Sequence, residues 1–163
     1  MIKRMDHFLD MDDEFLQLES AAYVLLSVPY DGTSTFVKGA DKGPQAILDA
    51  SDSLELYDIQ YDIDASKAGV YTDHYDYDLS TPEAMVKSVY GRVSHFLDMG
   101  KRVAMVGGEH SVSVGAIRAM SERYPDLTVL QIDAHADLRD EYHGSLYNHA
   151  CVMRRAQECA RVV

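Results

Sequence analysis

Asp133-Ala134-His135-Ala136-Asp137 follows directly on an apolar stretch, LTVLQI, within Asp126–Asp133. In extended backbone, alternate residues point the same way. Asp133, His135 and Asp137 would then project from one face, with successive Cα atoms roughly 6–7 Å apart. Both spacers are alanine, small enough to let the chain pack closely while three side chains converge. Two carboxylates forced together are unfavourable without a cation. Carboxylate oxygen combined with imidazole nitrogen suits manganese, iron or zinc, and the absence of cysteine argues against a structural zinc finger. A second cluster, Val106-Gly107-Gly108-Glu109-His110-Ser111, closes another short apolar run. Its glycines permit a tight turn and close backbone approach. If the two apolar runs are neighbouring strands, His110 lies beside Asp133 and Asp137. Glu109 reads either as a ligand or as an acid that starts a helix or supports the ligands.

These residues need elements to hold them. Ala21–Val28 reads as a buried strand, broken by the Pro29–Thr33 loop. Gly43-Pro44 opens a helix through about Leu56. Gly69–Tyr77 is rich in Tyr and Asp and fits neither pattern. Ser80-Thr81-Pro82-Glu83 has the form of a helix start, with Ser80 as the capping hydroxyl. Met85, Val89, Val93, Phe96 and Leu97 recur at helical spacing, and Gly100 supplies a stop. Lys101–Val106 reads as a strand, Ser111–Arg123 as a helix, and LTVLQI as another buried strand. A polar loop runs to Asn148, and a last helix carries Cys151, Met153 and Cys159. The first twenty residues are polar with scattered Phe and Leu and are expected to lie over a neighbouring surface. Strands alternating with helices imply an α/β fold with a parallel sheet, in which ligands bind beyond the carboxyl ends of the strands.

Composition narrows the function. The 163 residues suit one domain, and 47% hydrophobic with 26% charged residues is an ordinary globular balance. A net charge of −12 disfavours nucleic acid and anionic membrane as partners and suits a cationic small molecule or a metal ion. It also fits a plain solubility role. No apolar run is long enough to span a bilayer, and Met1–Asp10 has no apolar signal core. Cys151 and Cys159 are eight positions apart in the expected helix, roughly 12 Å along its axis. Such thiols cannot pair, which fits a reducing cytoplasm.

At these motifs the chain resembles the ureohydrolase family of arginases, agmatinases and related amidinohydrolases. The resemblance covers PYDGTSTFVKGADKGPQAI at Pro29–Ile47, VGGEHSVS at Val106–Ser113 and QIDAHADLRDEYHGSLYNHACVMRR at Gln131–Arg155. The last is most similar to agmatinases. The resemblance implies an arginase-like, three-layer α/β fold: a parallel sheet flanked by helices. It implies hydrolysis of agmatine to putrescine and urea by a hydroxide held between two Mn2+ ions, with arginine, guanidinobutyrate or formimidoylglutamate as alternative substrates. His110 matches a ligand of the first metal, Asp133 the bridging carboxylate, His135 a ligand of the second metal and Asp137 a further ligand of the first. His149, in Tyr147-Asn148-His149-Ala150, matches the histidine that carries protons near the substrate. His143 falls outside the pattern and reads as a solvated loop residue.

Members of that family are considerably longer and bear a further Asp-x-Asp motif on a later strand. Asp62-Ile63-Asp64 has the spacing but lies too early. Residues 1–163 therefore read as the N-terminal part of a single ureohydrolase domain. One metal keeps His110, Asp133 and Asp137, and the other only Asp133 and His135. An exposed sheet edge, an uncovered core and little or no activity of this chain alone are expected. An inactive metal-binding fragment is the rival reading. The expected partner is a small cationic guanidino compound. The resemblance also implies homo-oligomers, trimeric or hexameric.

Overall fold

The computed structural model describes residues 6–163. The earliest part of Met1–Asp10 lies outside the described residues. Three parallel strands form the centre: β1 (Tyr23–Val28) lies between β4 (Val70–Asp73) and β5 (Arg102–Gly107). The register runs from Tyr23 opposite Val70 and Arg102 to Val28 opposite Gly107. A parallel strand covered on both faces needs apolar side chains throughout, and β1 supplies them. Val24, Leu26 and Val28 point to one layer, where helices α2 (Pro82–Asp98) and α3 (Ser113–Arg123) bury Met85, Val89, Val93, Phe96 and Val114. Leu25 points to the opposite layer, against Leu48 of α1 (Gly43–Ala50) and Phe8. The three-layer α/β architecture is thus present.

Small strands β2 (Tyr57–Asp58) and β3 (Ile63–Asp64) form an antiparallel pair. The ambiguous Gly69–Tyr77 segment resolves into edge strand β4. Within the strand the buried Asp73 receives the Arg92 guanidinium at 2.8 and 2.6 Å. The early segment does lie over a neighbouring surface. The Phe8 and Leu9 N–H groups donate to Thr72 Oγ1 and Ser51 Oγ, each at 2.8 Å.

Several boundaries differ from the sequence expectation. The cap of α2 is Thr81, whose hydroxyl accepts from the Ala84 N–H at 3.1 Å, while Ser80 turns back to donate to Asp78 at 2.6 Å. The first helix ends at Ala50 and continues only as a 3-10 turn to Ser53. The last helix, α4, spans only Val152–Ala156, so Cys151 precedes it and Cys159 follows it, both free thiols.

The largest departure concerns LTVLQI. Its ladder, β6 (Thr128–Val129), pairs in parallel with β7 (Arg161–Val162) and not with β5. Leu130 is 69% exposed and Ile132 93%, where burial was expected. A strand is buried only when partners extend its ladder and a layer covers its faces. Among the described residues no strand bonds to the second edge of β5 or of β6. A cavity of ≈ 330 Å³ lies between these elements, bordered by Met105, Ile117, Val129, Ile132 and Met153.

Candidate metal centre

Two loops build the site, one after β5 and one after β6. In the first, close packing comes before chemistry. The Gly108 N–H donates to the Val28 carbonyl and the Glu109 N–H to the Tyr30 carbonyl, both at 3.0 Å. This approach needs glycine, because a Cβ on residue 108 would stand 2.0 Å from the Tyr30 carbonyl oxygen. The loop after β1 is thereby laid directly on the loop after β5. Glu109 caps the 3-10 turn His110–Val112 by accepting from the Ser111 N–H at 2.8 Å. It also accepts from the Ser111 hydroxyl at 2.7 Å and the Thr33 hydroxyl at 2.8 Å. Its carboxylate is thus occupied inward, which decides between the two sequence readings: Glu109 supports the site, and the described His/Asp group does not include it. Burial pushes the neighbouring Tyr30 phenol up to about 12, and Glu109 and Glu83 add to the shift, so this hydroxyl stays neutral.

The second loop does not present its ligands by strand alternation. Asp133–Asp137 lies beyond the ladder, and Asp137 adopts a positive φ of 47°. That conformation is rare for residues other than glycine and is best tolerated by Asn and Asp. It is held because the Asp137 carbonyl accepts from the Met153 and Arg154 N–H groups at 3.0 and 3.3 Å, the open amino end of α4. The loop is further tied by Arg155, a buried guanidinium 2.5 Å from Asp140.

The outcome is a group of three. His110 Nδ1 lies 2.7 Å from Asp137 and 3.6 Å from Asp133. One donor atom from each lies within 4.8 Å of the others. A divalent ion held at about 2.0–2.2 Å places neighbouring donors about 3 Å and opposite donors about 4 Å apart, so small shifts that open the 2.7 Å His110–Asp137 contact would fit the three side chains around one small cation. The donor set, two carboxylates and an imidazole, suits manganese, iron or zinc. The His135 N–H holds the Asp133 carboxyl below the usual carboxylate range, helped by the His135 and His110 rings. The ionised, ligating form is favoured. His110 meets the two aspartates although β5 and β6 are not hydrogen-bonded neighbours, so the premise of adjacent strands was not needed.

His135 is placed differently. Its side chain is 83% exposed, and Nδ1 sits 3.2 Å from the outer oxygen of Asp133. It stands next to the group of three without joining it. His149 opens a 3-10 turn (His149–Cys151) and lines the same cavity of ≈ 870 Å³ as His110, Asp133 and Asp137. His143 is exposed, its ring tilted at 55° against Tyr142 with centroids 4.1 Å apart. Asp62 and Asp64 serve the small hairpin, receiving Tyr57 and Ser66. Ser34 to Val37 border the cavity, in a loop gathered by Asp31, which accepts from the Gly39 and Ala40 N–H groups at 2.6 and 3.2 Å. The Ser34 hydroxyl foremost, then those N–H groups and Lys38, hold the Asp31 carboxyl below its ordinary range. Thr33 and Arg155 tie the loops around the candidate site, and the motif reading gave neither a role. Both lie inside segments that carry the resemblance, Pro29–Ile47 and Gln131–Arg155, but only a hydroxyl at a strand's carboxyl end pointed to Thr33, and no spacing pointed to Arg155.

A parallel α/β sheet with carboxylate and imidazole donors gathered at its strand ends defines an α/β domain with a candidate metal centre. Residues 21–162 match the Arginase family, and the chain belongs to that family. It is 40% identical over 158 residues to the N(1)-aminopropylagmatine ureohydrolase of Synechocystis, covering 89% of this chain and 52% of that protein. The crystal structure of agmatine ureohydrolase of Thermoplasma volcanium superposes with a TM-score of 0.78 at 38% identity, over 87% of this chain and 47% of that one. The structure of Trypanosoma cruzi formiminoglutamase with manganese gives a TM-score of 0.75 at 27% identity, over 87% and 49%. The chain spans about half the length of the relatives it matches. No helix among the described residues is long and apolar enough to cross a membrane.

Proposed function

We propose that this chain contributes the first metal-binding half of an amidinohydrolase of agmatinase type, releasing urea and a diamine from agmatine. The convergence of His110, Asp133 and Asp137 within 4.8 Å beside His149 carries the reading. Residues 1–163 would form the N-terminal part of a single ureohydrolase domain. Manganese is the proposed ion, supported by the donor chemistry and by the Mn2+ of the Trypanosoma cruzi formiminoglutamase structure.

His110, Asp133 and Asp137 would hold one ion, and Asp133 with His135 would supply part of a second. Paired ions of this kind lower the pKa of a water and so provide a nucleophile at neutral pH. The chain's own residues do the rest. The acidic surface draws in a cationic substrate over a screening length of about 8–10 Å. After water adds to the guanidinium carbon, the carbon–nitrogen bond to the diamine breaks, and the departing nitrogen must gain a proton. We read His149, which lines the cavity, as the group that carries it.

A second reading, N(1)-aminopropylagmatine as substrate, is favoured by the name of the 40% identical relative. Urea release from agmatine, aminopropylagmatine, arginine and guanidinobutyrate tests both, using this chain and any longer polypeptide that contains it, loaded with manganese. Agmatine turnover above the others supports the first reading, and aminopropylagmatine above agmatine the second. Metal binding without urea from any substrate would reject both.

A further inference from the structure

Thr33 joins two parts of the site that the sequence keeps far apart. Its hydroxyl oxygen lies 2.8 Å from Glu109 Oε1, 2.9 Å from the His149 backbone nitrogen and 3.3 Å from His149 Nδ1. The protons in this cluster can be counted. Both Glu109 oxygens accept, Oε1 from the Thr33 N–H and the Ser111 hydroxyl and Oε2 from the Ser111 N–H. A threonine hydroxyl has a single proton. At 2.8 Å from a carboxylate oxygen, that proton must point to Glu109. The oxygen of Thr33 is left with lone pairs alone for His149. One accepts the backbone N–H. The other faces Nδ1, which must then carry the hydrogen. Tyr142 closes on the imidazole edge-on, with ring centroids 6.0 Å apart at 81°, and limits ring rotation.

We infer that Glu109 and Thr33 act as positioning residues that fix His149 as its Nδ1–H tautomer, leaving Nε2 with a free lone pair. The usefulness of this arrangement rests on the reading of His149 as proton carrier. The arrangement itself does not. A ring nitrogen held as a donor dictates the state of the other, so His149 enters the reaction with one defined accepting atom. Glu109 orients the threonine proton, threonine orients the ring, and neither touches the substrate.

The test is long-range 1H–15N correlation of the His149 ring in the metal-free chain, above the imidazole titration range. Wild-type chain and the variants Thr33→Val and Thr33→Ser are compared, with backbone amide spectra to verify the fold. The expected result is a protonated Nδ1 in the wild type, a shift to the Nε2–H form that free histidine prefers in Thr33→Val, and return of the Nδ1–H form in Thr33→Ser. An Nε2–H majority in the wild type, or an unchanged Nδ1–H form in folded Thr33→Val, overturns the inference. If Thr33→Val does not fold, the wild-type and Thr33→Ser spectra still decide it. Failure of the functional reading is separate, because it is read from urea release and not from the tautomer.

Discussion

Gly108→Ala should disrupt the site through contact alone. Gly108 is not among the glycines with positive φ, so alanine meets no dihedral penalty. Its Cβ would instead stand 2.0 Å from the Tyr30 carbonyl oxygen and 2.8 Å from the Tyr30 carbonyl carbon. Both are backbone atoms and cannot swing away. Relief requires the loops to separate, which strains the two 3.0 Å hydrogen bonds between them. Overpacking costs about 1–3 kcal/mol. Each hydrogen bond lost adds about 0.5–1.5 kcal/mol. The sum, about 2–6 kcal/mol, corresponds to a fall in Tm of roughly 4–24 °C for a chain of this size. Gly91→Ala is the control. It lies on an exposed face of α2 with open space where its Cβ would be, and helix propensity predicts a gain of about 1 kcal/mol. Circular dichroism melting of both variants, with manganese titration of Gly108→Ala, reads the effect. Unchanged melting and unchanged metal affinity in Gly108→Ala would refute the reasoning that loop contact builds the site.

Asp137→Ala removes the carboxylate 2.7 Å from His110 and should weaken manganese binding by at least about tenfold, as read by calorimetry. His135→Ala should do less in this chain, since its ring stands outside the group of three. Arg155→Met should cost about 1–2 kcal/mol in denaturant unfolding, below the usual cost of breaking a buried pair, because Asp140 is 73% exposed and stays hydrated. Asp31 has a depressed folded-state pKa, so its contribution is present above the ordinary carboxylate value of about 3.9 and is lost as pH falls through the folded value. Protection of the Gly39 and Ala40 amides, measured relative to their intrinsic exchange rates, should therefore fall in acid, and Asp31→Asn should remove that pH dependence.

Much of the fold was legible in local pattern. The helical spacing of Met85, Val89 and Val93 and the apolar run of β1 report burial through periodicity, which packing obeys. Donor types were legible as well, since carboxylates and imidazoles in short clusters have few other uses. Strand alternation, however, was the wrong geometry for Asp133–Asp137. The positive φ at Asp137 depends on the amino end of α4, and no local pattern encodes that contact. The burial expected for LTVLQI failed for a related reason. Periodicity says that a segment can be covered, while neighbouring strands decide whether it is.

The sequence by itself determined the alternation of strands and helices, the chemical nature of the donors and the membership in a family, because these depend on residue type and spacing. Only the tertiary structure decided which donors meet. It joined His110 to Asp137 across strands that do not pair, left His135 facing outward, and set Thr33 between Glu109 and His149. Those outcomes depend on distances between segments remote in the chain, and such distances are fixed by packing, above all by the space that Gly108 leaves for the backbone of Tyr30.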